Sequence, residues 1–215
     1  MKSAAPISKI KSFKRQHAPN TVNGTVPPRR IENAKCRPRE YLTVKEVARL
    51  IDGARERRRY GHRNATMILV AYRHGLRVAE LSALRWDQVD FERGLLHVRR
   101  VKSGTPSVHP LGGSEIRALR RLRREQLESR HVFLTERRSP MSPAGFRKTL
   151  ARIGEESKFP FPVHPHMLRH ACGYKLANDG QDTRALQHYL GHKNIQHTVR
   201  YTELSPERFK SFWED

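Results

Sequence analysis

Residues 164–177 read HPHMLRHACGYKLA, with three histidines and an arginine in the first seven positions. Pro165 suits the first position of a helix, and Leu168, Ala171, Cys172 and Leu176 then share one face, so the stretch predicts a helix from about Pro165 to Gly180. His166 and His170, four residues apart, could face a common cation. Three features oppose that reading: no glutamate lies between them, Arg169 sets a fixed positive charge beside any incoming metal, and no downstream cysteine or carboxylate cluster supplies further ligands. A phosphate uses the same residues better. His166 falls in the first turn, where free N–H groups and the helix dipole favour an anion, and Arg169 offers a planar fork of donors on the same face.

On the C-terminal side, Asp182 is placed to cap a helix that ends at Gly191, and NIQHTVRY follows as a short helical piece carrying Tyr201. SPERFKSFWED, residues 205–215, predicts a closing helix with Ser205 as cap, Pro206 at its first position and Phe209, Phe212 and Trp213 along one side. On the N-terminal side, YLTVKEVARLI contains a capping box of Thr43 and Glu46, with Leu42 able to staple onto Val47. A helix through ATMILVAYRH stops at Gly75, and GLRVAELSALRW opens another. LLHVRR and SVHPL flank the turn-like KSGTP as a hairpin, with HVFLT as a third strand. Ser114 is expected to cap a helix that turns Ile116, Leu119 and Leu122 inward, and Ser142 with Pro143 to start the next. The expected fold is therefore mainly α with a small antiparallel β-sheet, an α+β domain over residues 40–215.

The chain has 215 residues, 43 Lys and Arg against 21 Asp and Glu, and a formal charge of +22. Such an excess goes beyond solubility and implies a polyanionic partner, of which double-stranded DNA is the first candidate. No apolar run approaches the ~18 residues of a membrane span, so no membrane partner and a cytoplasmic, nucleoid-associated location are expected. Two cysteines, Cys36 and Cys172, do not make a disulfide framework. Residues 1–39 combine Lys, Arg, Pro, Asn and Ser with few large apolar side chains and are read as a flexible basic arm, whose Lys9, Lys11, Lys14 and Arg15 would contact DNA.

Five further residues stand beside His166 and Arg169. Arg77 follows Gly75, with Glu80 one turn on to orient it; Lys102 sits at the hairpin tip; His192 follows Gly191; Tyr201 comes nine residues later. Each alone has a plain structural explanation. In this order and spacing, Arg77, Lys102, His166, Arg169, His192 and Tyr201 resemble the signature of the tyrosine recombinase, or phage integrase, family. HPHMLRHACGYKLA and LGHKNIQHTVRYT look especially like the short fimbrial phase-variation invertases of bacteria. The resemblance covers about residues 40 to 213. Most of the family carries a separate helical domain before the catalytic one, and here the basic arm precedes residue 40.

The resemblance implies a site-specific recombinase that needs neither metal nor cofactor. Tyr201 would attack the scissile phosphodiester to give a 3′-phosphotyrosyl enzyme and a free 5′-hydroxyl. Arg77, Arg169, His166 and His192 would stabilise the phosphate, with His166 and Arg169 facing Arg77 across it, and Lys102 would protonate the leaving oxygen. The remaining histidines, His164, His170 and His197, are read as scaffold or phosphate neighbours. Presenting a tyrosinate at neutral pH costs about 4 kcal/mol unless cations share it. The implied assembly is a homotetramer on two DNA sites, monomeric off DNA, with accessory DNA-bending proteins; inversion, excision and integration of a DNA segment are all open to it, inversion being the outcome of the fimbrial type it resembles. A type IB topoisomerase, a non-catalytic DNA-binding regulator on the same fold, and an RNA-binding protein are the alternatives. The last lacks aromatic residues interleaved with its basic ones.

Overall fold

A computed structural model describes residues 39–101, 104–126 and 129–203. The arm residues Lys9, Lys11, Lys14 and Arg15, the hairpin residue Lys102 and the closing helix 205–215 lie outside the described residues.

Helix α1, Val44–Arg55, begins as its sequence dictates: Thr43 Oγ1 accepts from the Glu46 N–H, and the Glu46 carboxylate accepts from the Thr43 N–H at 2.8 Å. Leu42 and Val47, either side of this cap, are both buried in the core. Helix α2, Gly61–Arg73, starts earlier than its apolar run and buries residues on nearly every side, from Ala65 through Ala71. It ends where Gly75 takes φ +55°. The short helix α3, Val78–Ser82, follows with Arg77 in the N-cap position.

The sheet has three antiparallel strands in the order β1 (Val89–Asp90), β2 (Leu95–Val98) and β3 (Ser107–Pro110). β2 and β3 form the expected hairpin, with Leu96 opposite His109 and Val98 opposite Ser107. The third strand is β1, not HVFLT as the sequence suggests. Residues 131–135 bend at Val132 and Phe133 and pair only through single bridges, Arg85 with His131 and Leu134 with Pro140. Pro140 has no N–H to continue a ladder, and Val132, Phe133 and Leu134 are buried as core filling instead.

Helix α4, Gly113–Glu125, starts one residue before Ser114, which is therefore not its cap. Gly112 holds the cap position, because Glu115 turns back to accept the Gly112 N–H at 2.9 Å. Leu119 and Leu122 face the core, and Ile116 packs at its edge. Helix α5, Pro143–Glu156, has Ser142 as N-cap, bonded to the Gly145 N–H, and Pro143 in its first turn. Helix α6, Pro165–Asn178, is followed by α7, Thr183–Leu190, capped by Asp182 and ended by Gly191 at φ +64°. The last described helix is α8, Gln196–Thr202.

Helix α6 is the centre of the domain. Met167, Leu168, Arg169, His170, Ala171, Cys172 and Gly173 are consecutive buried residues, so it is enclosed on all sides rather than amphipathic. It packs against α1, α2, α5, α7 and α8. Among the described residues no helix is long and apolar enough to cross a membrane.

Candidate functional site

The site forms where three chain reversals meet at one side of α6: the α2–α3 turn carrying Gly75 and Arg77, the base of the β2–β3 hairpin, and the α7 end carrying Gly191 and His192. Arg169 ties the first and last together. Arg169 is 2% exposed, and its guanidinium donates from Nη1 to the Gly75 carbonyl and from Nη2 to the Leu190 carbonyl at 2.7 Å. Arg169 is turned inward, while His166, expected on the same face of the helix, lies at the surface.

Glu80 joins the first reversal to the hairpin base. This buried carboxylate accepts from the Arg77 N–H and from Arg77 Nη1, both at 2.9 Å, so the expected orienting contact is present. It also accepts from Arg100 Nη1 at 2.9 Å and from the Val101 N–H at 3.3 Å. Arg100, whose side chain is closed to solvent, further donates to the Tyr189 carbonyl. Arg100 carries no signal in the sequence that marks it for this place. Lys102 lies two positions beyond it, and the described flanks of that lysine, Val101 and Gly104, are joined by a 3.3 Å backbone hydrogen bond. Gly191 permits the closeness of this packing, since a Cβ there would fall 2.7 Å from Arg100 Nε.

Arg77 and Arg100 thus share the Glu80 carboxylate, while Arg169, held by two backbone carbonyls, lies near enough to feel all three charges, so positive charge is left unbalanced in a largely dry setting. Burial pulls the Arg169 pKa down to about 10, with repulsion from Arg77 and Arg100 adding to the shift. Burial alone would raise the Glu80 pKa, but the Arg77 N–H and the Arg100 and Arg77 guanidiniums hold it below the usual carboxylate range. Such a cluster favours an incoming anion, which would relieve the repulsion among the cations.

His192 joins this cluster in neutral form. Burial and the charges of Arg169 and Arg77 depress its pKa to about 3, and its Nδ1 lies 2.9 Å from Thr198 Oγ1. A ring that accepts from Thr198 at Nδ1 carries its proton on Nε2, leaving a donor for a phosphate oxygen.

Tyr201 is 1% exposed. Its ring lies on the backbone of α6 at Gly173, where a Cβ would come within 2.8 Å of the ring. Tyr174 meets it edge-on at 5.0 Å, and His192 stacks at 6.3 Å. The hydroxyl is 2.9 Å from His170 Nδ1. Burial pushes the Tyr201 pKa up to about 12 despite Arg169 and Arg200. At that value the tyrosinate costs about 7 kcal/mol at neutral pH rather than about 4. His170, read from sequence as scaffold or a phosphate neighbour, is a direct neighbour of the phenol, and burial with the nearby His166, Arg200 and Arg169 lowers its pKa to about 3.

His164 is half-buried at the α6 cap position, and His197 is exposed 6.0 Å from the His192 ring. Among the described residues no three His, Cys, Asp or Glu side chains gather as metal ligands. Cys172 is buried, its thiol pKa is pushed up to about 12, and its Sγ lies 3.5 Å from the Arg73 carbonyl, so it serves packing.

The chain matches the phage integrase family model over residues 40–208. It is 41% identical over 186 residues to the type 1 fimbriae regulatory protein FimE of Escherichia coli (strain K12), covering 82% of this chain and 91% of that protein. It is 34% identical over 195 residues to the tyrosine recombinase XerC of Pseudomonas syringae pv. syringae, covering 88% of this chain and 62% of that protein. Among solved structures it resembles the XerA recombinase, with a TM-score of 0.70 and 25% identity over 80% of this chain and 63% of that one. The chain spans less than two thirds of the length of XerC and of the XerA chain. With the catalytic-domain fold in place and the family model matched over most of its length, this chain belongs to the phage integrase family of tyrosine recombinases.

Proposed function

We propose that the protein is a site-specific DNA recombinase that cuts and rejoins duplex DNA through a 3′-phosphotyrosyl intermediate, inverting a DNA segment. The observation that carries this reading is the unbalanced cluster of Arg77, Arg100 and Arg169 around Glu80, beside neutral His192 and the Tyr201 ring. A scissile phosphate entering there meets Arg77 and Arg169 as counter-charges and the His192 Nε2–H as a donor. The Tyr201 hydroxyl gives up its proton to solvent as its oxygen bonds to phosphorus; the bond from phosphorus to the 5′-oxygen breaks, and that oxygen leaves with a proton whose donor we assign to Lys102. His166, at the exposed start of α6, completes the set from the solvent side.

The phenol as packed is neutral and turned to His170, so cleavage requires it to leave that contact for the phosphate. Strand exchange is proposed to take place in a homotetramer on two sites, with the arm residues Lys9, Lys11, Lys14 and Arg15 contributing to DNA grip and accessory DNA-bending proteins setting direction. No cofactor is proposed.

The test uses nicked duplexes tiled across the DNA flanking the gene, incubated with wild type and Tyr201→Phe and resolved on a denaturing gel. A covalent protein–DNA band with wild type alone is expected. No band with any duplex, or an equal band from the phenylalanine variant, overturns the reading.

A further inference from the structure

The end of α2 remote from Arg77 opens on a cavity of about 1010 Å³. The C-terminal ends of α1 and α4, the start of α2 and the turn at residues 134–138 enclose it. Seven arginines line it against two glutamates, Glu125 and Glu136. Several are already engaged: Arg55 with Asp52, Arg57 with Glu156, and Arg121 with Glu125. Arg58, Arg124 and Arg138 are exposed and, among the described residues, form no ion pair.

The walls are built with some strain. Only three non-glycine residues among those described adopt positive φ, and two of them, Tyr60 (+60°) and Arg138 (+58°), line this cavity. Residues held in that region cluster where function needs them. Arg138 sits on a tight turn closed by the Thr135 N–H to the Ser139 carbonyl at 2.7 Å and by the two hydroxyls at 2.6 Å, which fixes its direction. Tyr60 lies under the Arg63 guanidinium at 4.3 Å, and Arg63 is itself buried and anchored on the Leu134 carbonyl. The Nε of Arg57 is buried without an acceptor among the described residues. α2 begins at the cavity with no side-chain cap on its first turn.

Guanidiniums in excess of the carboxylates beside them, here Arg58, Arg124 and Arg138, select phosphate oxygens, which they hold two at a time. Along the 13 residues of α2, ~20 Å separates the cavity from the Arg77 cluster, so one phosphate cannot serve both, and Arg58, Arg124 and Arg138 keep their charge uncompensated among the described residues. We propose that this cavity is a second phosphodiester-binding site, which holds the backbone of a DNA segment other than the one positioned at Tyr201. The proposal rests on the recombinase reading only in taking DNA as the polyanion.

The test is a bridging assay in the full-length Tyr201→Phe background, with one short duplex of arbitrary sequence immobilised and a second one fluorescent. Its comparison is the triple variant Arg58→Gln, Arg124→Gln, Arg138→Gln, whose changes are all at exposed side chains. Bridging should fall about tenfold or more, and the slope of log affinity for the second duplex against log salt should shrink by about 3, near 0.9 per lost phosphate contact. Affinity for the first duplex should hold, as should covalent cleavage measured with Tyr201 restored. Equal bridging by the triple variant overturns the proposal, since the bridge would then arise from protein self-association. Parallel loss of first-duplex binding also overturns it, by placing the cavity within the primary DNA surface. A parallel arm adds inorganic pyrophosphate: a melting shift in wild type but not in the variant, without second-duplex capture, assigns the cavity to a soluble phosphate compound instead. Bridging is read without chemistry, so failure of the covalent-band experiment leaves this outcome separate.

Discussion

Arg100 and Glu80 form an ion pair at 2.9 Å with both side chains closed to solvent, and through it the base of the β2–β3 hairpin is fixed to the residue that orients Arg77. Removing one member of a buried pair leaves the other's charge poorly compensated, typically at a cost of about 3 kcal/mol or more. Arg100→Met is expected to lower unfolding free energy by about that amount in urea titrations. Covalent cleavage should fall further than the stability loss explains, because the strand leading to Lys102 loses its anchor. Arg100→Lys, which keeps the charge but gives up the second contact to Tyr189, should recover part of the stability and little of the cleavage. Wild-type melting and cleavage by Arg100→Met would show the pair to be dispensable.

The contact between Tyr201 and His170 can be isolated by a double-mutant cycle. Tyr201→Phe removes the hydroxyl and His170→Phe removes the nitrogen 2.9 Å from it, each leaving a buried polar atom without its partner. The two single variants together should cost about 1 kcal/mol more than the double variant. Additive losses would mean that the phenol is held by packing alone.

What the sequence made legible follows from distance along the chain. The Thr43 and Ser142 caps, the Asp182 cap and the Arg77–Glu80 orientation span three residues or fewer, within one helical turn, and spacing alone exposes them. Arg100 escaped notice because its acceptors, Glu80 and the Tyr189 carbonyl, lie 20 and 89 residues away, and an arginine at the end of a strand reads as a solvated charge. His170 escaped for the same reason, its partner being 31 residues on. β3 shows the limit of alternation: Val108 is exposed and His109 wholly buried, the reverse of a hydropathy reading. His109 tolerates this because it lies 3.2 Å from His74 Nδ1 and 2.8 Å from Ser107 Oγ, and stacks on Tyr189 at 3.8 Å.

Gly173 should be intolerant of a side chain only because of Tyr201. An added Cβ would stand 2.8 to 2.9 Å from three ring carbons, closer than real contacts allow. In the wild-type background Gly173→Ala is expected to destabilise by about 1 to 3 kcal/mol through overpacking. With Tyr201→Ala in place the obstruction is gone, and the same substitution should turn neutral or stabilise by up to about 1 kcal/mol, as alanine does for glycine in a helix. The sign change, read from paired denaturation curves, is the measurement. A loss of the same size in both backgrounds would place the constraint elsewhere.

The acid side of the stability profile should belong first to histidines. His109, His170 and His192 each have folded pKa values lowered to about 3 from 6.5, mainly by burial. Below 6.5 the unfolded chain takes up protons that these rings in the folded state refuse, so stability is full above about 6.5 and declines as pH falls toward 3. Glu80 and Glu115, whose pKa values are lowered from 4.5, add to the loss only as pH drops below that value. Between about 6.5 and 4.5 the histidines therefore act nearly alone. Tyr201 works in the opposite sense: with its pKa raised from 10 to about 12, its contribution is present below 10 and lost as pH rises through that interval. Urea melts at successive pH values should show a fall in unfolding free energy already at pH 5.5, where the carboxylates are still ionised. His170→Gln should flatten that slope, since it removes one of the three groups. A wild-type profile level from 7 down to 4.5 would mean that the rings are protonated in the folded protein, and the neutral His192 donor proposed for the phosphate would fall with it.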